Sequence, residues 1–209
     1  MTTTFTRRAA LGAAGGLVLL PGLAAANPVI GQAAPDFTLA DQDGTTRRLS
    51  DFRGKVVVLE WTNHECPYVR KHYGSANMQA LQRLVTAERG QVWLSIASSP
   101  EGEQGHVTGA EAKALTDSRN AAPTAVLLDH QSVAARLYRA TTTPQMFVVS
   151  ADGVLRYMGG IDSIRSTRQA DVERAEPYLR NAFVAVAEGR PVQQASTQPY
   201  GCAIKYVGA

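Results

Sequence analysis

The chain has 209 residues, with 21 Lys or Arg against 18 Asp or Glu, a formal net charge of +3, and two cysteines, Cys66 and Cys202. That length suffices for one domain whose core needs no disulfide or metal staples. No basic stripe with interleaved aromatics speaks for nucleic acid, and past the N-terminus no long apolar run speaks for a membrane span.

Residues 1–26 carry Arg7 and Arg8, a modestly apolar Ala/Gly/Leu run, and then Ala24, Ala25 and Ala26, a small-residue cleavage site. This is the pattern of an export signal. The arginine pair after Thr6 points to the twin-arginine route, although Ala9 and Ala10 stand where that signal prefers bulkier residues. Four glycines and Pro21 interrupt the stretch from Ala9 to Ala26, which makes a poor membrane anchor. Arg7 and Arg8 are the only charged side chains before the cut, so the mature chain carries a net charge of +1. A periplasmic location follows, where two cysteines can pair as a disulfide.

In the mature chain, Ala34 to Leu49 reads as a β-hairpin around Asp43-Gly44. Lys55 to Thr62 is a continuous β-branched and apolar run, as expected of a strand buried on both faces. From Pro67 to about Glu88, Val69, Tyr73, Met78, Leu81, Leu84 and Val85 recur at helical spacing, with Pro67 suited to a first turn and Gly74-Ser75 placed to bend the helix. Gln91 to Ser98 is a second buried strand. Thr108 and Glu111 have capping-box spacing and start a helix of about ten residues. Ala125 to Leu128 is a strand, Ser132 to Arg139 a short helix, and Gln145 to Ser150 with Val154 to Met158 a second hairpin. A last helix over 176–188 stops at Gly189 and Pro191, leaving an irregular tail with Cys202. The order predicts an α/β domain over 27–190, a mixed central sheet with helices on both faces and an N-terminal β-hairpin, followed by a tail over 191–209.

Cys66 follows the central strand and the polar loop Thr62-Asn63-His64-Glu65, immediately before Pro67 and its helix. Unpaired backbone N–H groups and the positive end of the helix dipole favour thiolate over thiol there. A protonated His64 would reinforce that effect and Glu65 would oppose it. A cysteine that merely packs is expected to follow core periodicity, which this position does not.

The ordered landmarks Ala34-Pro-Asp-Phe-Thr-Leu, Gly54-Lys-Val-Val-Val-Leu-Glu-Trp, Cys66-Pro-Tyr-Val and Thr143-Pro-Gln-Met-Phe-Val resemble those of bacterial redoxins of the thioredoxin-like superfamily, peroxiredoxin-like members included. The Asn63-His64 loop and the tail Gly201-Cys-Ala-Ile-Lys205 resemble one subgroup of these. The resemblance implies a thioredoxin-like fold, a nucleophilic Cys66, and a cis bond between Thr143 and Pro144 that positions substrate. It also implies that Glu60 occupies the place of a buried acid assisting proton transfer; an edge-facing or salt-bridged carboxylate is the alternative. Two departures narrow the chemistry. Val69 stands where a Cys-x-x-Cys motif has its second cysteine, which excludes a local dithiol. Asn63 and Leu59 stand where typical peroxiredoxins have Thr or Ser and Pro, so Asn63 or Thr62 is left to hydrogen-bond a thiolate or peroxide oxygen.

About 13 residues separate Gly189 from Cys202, enough to span about 40 Å, against a radius of gyration near 16 Å for a domain of this size. Cys202 can therefore reach Cys66 and resolve it as a reducible bridge. The alternative is a permanent bridge pinning the tail, which loop entropy would make worth about 4 to 5 kcal/mol. The expected activity is thiol oxidoreduction on a peroxide or disulfide substrate, with an external thiol or dithiol reductant and neither cofactor nor metal. The competing class is a non-enzymatic binding or metal-carrier module on the same fold, with Cys66 and His64 as the local ligands. The Gly-rich loop from Ser98 to Val107 lacks the Lys-Ser/Thr of a phosphate loop and is expected to line the site.

Overall fold

The computed structural model describes residues 1–2, 27–87 and 90–208. Of the expected export signal, residues 3–26 lie outside the described residues. The opening hairpin pairs β1 (Thr38–Asp41) with β2 (Thr46–Arg48). Asp41 organises its turn: the carboxylate accepts the Asp43 and Thr45 N–H groups, both at 2.9 Å, and the Arg47 guanidinium at 2.8 Å.

The buried runs form β3 (Val57–Thr62), β4 (Val92–Ala97) and β5 (Ala125–Leu128), three parallel strands. Every residue of β4, and all of β3 but Thr62, is buried, because helices cover both faces. The chain next forms β6 (Thr142–Thr143), β7 (Gln145–Val149) and β8 (Leu155–Gly159). Strands β7 and β8 complete the seven-stranded mixed sheet, in the order β2-β1-β5-β4-β3-β7-β8. The thioredoxin-like fold expected from the sequence is the fold observed.

The helical segment after Cys66 splits where a bend was expected. Helix α1 spans Pro67–Gly74 and α2 Asn77–Ala87, with Ala76 between them in the left-handed region at φ 58°. Helix α3 (Gly109–Ser118) begins with the expected capping box: Thr108 Oγ1 accepts the Glu111 N–H at 3.3 Å, and Glu111 Oε2 accepts the Thr108 N–H at 2.8 Å. Helices α4 (Val133–Tyr138) and α5 (Tyr178–Ala187) complete the set. One face of the sheet packs Leu59, Trp61, Ile96 and Phe147 against α4, and Trp61, Tyr138 and Phe147 stack with ring centroids 5.1 to 5.2 Å apart. The other packs Val58, Trp93, Met146 and Val148 against α2 and α5. Among the described residues no helix is long and apolar enough to cross a membrane.

The tail departs from the sequence expectation. It is not irregular throughout: Cys202–Ala203 form β9, antiparallel to β6, with Thr143 opposite Cys202 and Thr142 opposite Ala203. Two residues with no periodicity give no strand signal, because the partner creates the strand.

Candidate thiol site

Strand β3 ends at Thr62, and a four-residue loop turns the chain into α1 with Cys66 as its N-cap and Pro67 in the first turn. Asn63 builds that loop. Its backbone carbonyl accepts the Cys66 N–H at 3.1 Å, its side-chain oxygen accepts the Glu65 N–H at 2.9 Å, and its amide donates to the Gln104 carbonyl at 3.2 Å. Glu65 accepts the Gly105 N–H at 2.7 Å, so the Gly-rich loop is tied to the Cys66 loop twice. Arg70 and Arg119 both donate to the His64 carbonyl, at 3.1 and 3.2 Å.

Cys66 has no exposed surface. Its thiol donates to the Thr143 carbonyl at 3.1 Å, and the bond between Thr143 and Pro144 is cis, as the resemblance implied. Thr143 thus touches both cysteines, Cys66 through its carbonyl and Cys202 through the β6–β9 pairing. The crossing is tight at Gly201: a Cβ there would lie 2.5 Å from the Thr143 carbonyl carbon and 3.2 Å from the Pro144 nitrogen, with φ at 150°. Only glycine lets the tail approach this closely.

Both cysteines are free thiols. Burial opposes ionisation of Cys66, but the Cys202 thiol and the Val69 and Cys202 amides beside it favour the thiolate, and the balance holds its pKa below the ordinary thiol value. Burial, the hydrogen bond to Cys66 and its charge push Cys202 up to about 12. Of the two thiols Cys66 is thus the more readily ionised, and Cys202 the one that keeps its proton. Burial also lowers the pKa of His64; Glu65 opposes that, and Arg119 and Arg70 reinforce it. A neutral His64 near pH 7 adds no positive charge to the thiolate, contrary to the help a protonated ring would give.

The family profile that matches residues 30–158, more than half of the chain, is the AhpC/TSA family. The chain belongs to this family. Membership of the AhpC/TSA family identifies it as a thiol oxidoreductase in general terms. No curated protein matches. Solved structures that resemble it include a hypothetical protein from Sinorhizobium meliloti 1021, 24% identical, TM-score 0.71, covering 87% of this chain and 96% of its own. An uncharacterised conserved protein from Geobacillus kaustophilus is 23% identical, TM-score 0.72, covering 87% and 94%. A candidate thiol:disulfide interchange protein, DsbE, from Chlorobium tepidum is 20% identical, TM-score 0.55, covering 77% and 99%. These likenesses establish the fold.

In this AhpC/TSA member the structure brings Cys66, Thr143, Pro144 and Cys202 together and seats Glu60 elsewhere. Glu60 is wholly buried on β3, with its carboxylate accepting from Trp93 Nε1 at 2.9 Å, Ser95 Oγ at 2.7 Å and Tyr73 Oη at 3.1 Å. Its hydrogen bonds run to these three donors and not to Cys66. Among the described residues no group of three or more His, Cys, Asp or Glu side chains gathers for a metal ion. Sequence reasoning missed one cluster, in which Tyr200 of the tail is buried against Lys71, His72 and Asp162. A lysine and a histidine at helix positions facing the core were the available signal.

Proposed function

We propose that this is an exported thiol-dependent oxidoreductase in which Cys66 attacks the substrate, Cys202 resolves the intermediate, and an external thiol or dithiol restores both thiols. The observation that carries this reading is the position of Thr143, which contacts Cys66 through its carbonyl and pairs with Cys202 through its backbone. Arg7, Arg8 and the Ala24–Ala26 cleavage site support delivery to the periplasm.

With a peroxide, the Cys66 thiolate attacks one oxygen, the O–O bond breaks, and the leaving alkoxide or hydroxide takes a proton while Cys66 becomes a sulfenic acid. That oxidation removes the negative charge that raises the Cys202 pKa. Cys202 then loses its proton and attacks the Cys66 sulfur, an S–S bond forms, and hydroxide leaves with the proton as water. With a disulfide, Cys66 displaces one thiolate and Cys202 displaces the other. Thr143 and Pro144 shape the approach, and Asn63 holds the loop that aims Cys66. The bonding of Glu60 supports a positioning role, because it fixes Tyr73 on the helix that Cys66 begins.

Stopped-flow oxidation of the reduced protein by hydrogen peroxide and by glutathione disulfide, against Cys66→Ser, tests the first step. Rates no faster than free cysteine with both oxidants would overturn the reading. Mass spectrometry after trapping free thiols tests the second, and two free thiols under oxidising conditions would remove the resolving role.

A further inference from the structure

Tyr200 lies two residues before Cys202 and is buried, although it belongs to the tail. Its hydroxyl donates to Asp162 Oδ1, accepts from Lys71 Nζ at 3.4 Å, and lies 3.3 Å from His72 Nε2. The Asn77 side-chain amide donates to His72 Nδ1 at 2.9 Å, which leaves the proton on Nε2 and makes that nitrogen a donor to Tyr200. Lys71 Nζ also reaches Asp162 Oδ2 at 3.2 Å and the Ile164 carbonyl at 3.0 Å. The ring of Tyr200 packs edge-on against Tyr68, with centroids 5.7 Å apart. Every polar atom of this socket has a partner, and the tyrosine hydroxyl joins its two charges.

The socket stands on the helix that begins at Cys66: Tyr68, Lys71 and His72 all belong to α1, whose N-cap is the nucleophile. Five residues of helix from Cys66 to Lys71 rise about 7.5 Å, and the two residues from Tyr200 to Cys202, which bend at Gly201, can span at most about 7 Å. The short tail segment thus meets α1 at two places, Tyr200 at Lys71 and His72, and Cys202 beside the N-cap Cys66.

We infer that Tyr200, seated among Lys71, His72 and Asp162, is the positioning residue that holds Cys202 at Cys66 for bridge closure. The inference rests on the reading of the two cysteines as a redox pair. The tail has a second anchor past Cys202, where the Tyr206 hydroxyl donates to the Ala140 carbonyl at 2.5 Å and the Val207 N–H to Ser132 Oγ at 3.0 Å. That anchor docks on α4 and its flanks, away from the helix that Cys66 begins, so it restrains the tail without setting the distance between the two sulfurs.

The test separates oxidation of Cys66 from closure of the bridge. One equivalent of hydrogen peroxide is added to reduced full-length protein, a dimedone-type reagent traps sulfenic acid, and intact mass after thiol blocking follows the disulfide over time. Tyr200→Phe keeps the ring and its contact with Tyr68 but loses the hydroxyl. It is expected to oxidise Cys66 at the wild-type rate and close the bridge about 10-fold or more slowly, since misplacement by about 1 Å can cost on the order of 100-fold. Sulfenic acid should accumulate. Tyr206→Phe, which loosens the other anchor, should close within about twofold of wild type on the same reasoning. Closure by Tyr200→Phe at the wild-type rate would overturn the proposal, as would equal slowing in Tyr206→Phe, which would make Tyr200 one tail contact among many. A wild-type protein that never forms the bridge would overturn the redox-pair reading and this proposal with it.

Discussion

Replacing Gly201 by alanine perturbs the tail crossing at one point. The added carbon would lie 2.5 Å from the Thr143 carbonyl carbon, about 1 Å inside the 3.5 Å at which two carbons rest comfortably. All the atoms it meets are backbone of Thr143 and Pro144, so no side chain can rotate away. The relief available is for β9 to lift from β6 by about that distance, which breaks the pairing of Cys202 with Thr143 and of Ala203 with Thr142. Two lost backbone hydrogen bonds, at about 0.5 to 1.5 kcal/mol each, put the stability loss near 1 to 3 kcal/mol. The kinetic cost is of similar size: a misplacement of about 1 Å between reacting groups is expected to slow closure on the order of 100-fold, about 2.7 kcal/mol. The same trapping assay reads both steps, and urea unfolding of the reduced protein reads stability. A Gly201→Ala protein that closes its bridge as fast as wild type would refute the argument that this pairing delivers Cys202.

Other consequences are equally open to measurement. Removing the Cys202 thiol by Cys202→Ala takes away the main donor that offsets burial at Cys66, so the Cys66 pKa should rise; the midpoint of iodoacetamide alkylation against pH should move upward, and an unmoved midpoint would contradict this. His72 is held down to about 4 by burial, with Lys71 adding and Asp162 opposing. Its folded pKa lies below its unfolded value of about 6.5, so the unfolded chain binds the extra proton between those two values and stability falls as pH drops from about 6.5 to about 4, by about 3 kcal/mol in all. Urea midpoints at pH 7 and pH 4.5 should show that loss in wild type and a smaller one in His72→Gln. Asp162→Ala leaves the Lys71 ammonium buried without its carboxylate and should destabilise by about 3 to 5 kcal/mol, as measured by the same unfolding. Gly105→Ala forces a side chain onto a residue at φ 87° and against the Asn63 amide, and should cost about 1 to 3 kcal/mol in thermal unfolding.

Much of this was legible in the sequence because local physics decides it. The runs around Val57 and Trp93 are apolar at nearly every position, which only a sheet covered on both faces tolerates. Thr108 and Glu111 cap α3 as their spacing requires. The place of Cys66 at a helix N-cap was legible because a loop polar residue by residue gives way to Cys-Pro. Illegible was whatever depends on a distant partner. The strand at Cys202 exists because Thr142 and Thr143 lie beside it. The break at Ala76 needs the packing that holds that residue at positive φ. Asn63 looked like a hydrogen-bond donor for substrate, and the fold commits its amide to Glu65 and Gln104, because the loop over 98–107 closes over it. Lys71 and Asp162 are 91 residues apart, and no pattern along the chain announces that they meet.

The pairing of β9 with β6 also sets a rule of competition. An extended peptide that seeks to add itself beside Thr143, the usual way a strand edge recognises a partner, meets a segment of the same chain already there. A tethered segment of this kind acts at an effective concentration in the millimolar range, so a free peptide with equal intrinsic affinity must reach about that concentration to displace it. Peroxides and compact disulfides need no strand pairing and escape the contest. The β9 segment thus occupies, from within the chain, the strand edge at Thr143 that an extended ligand would need.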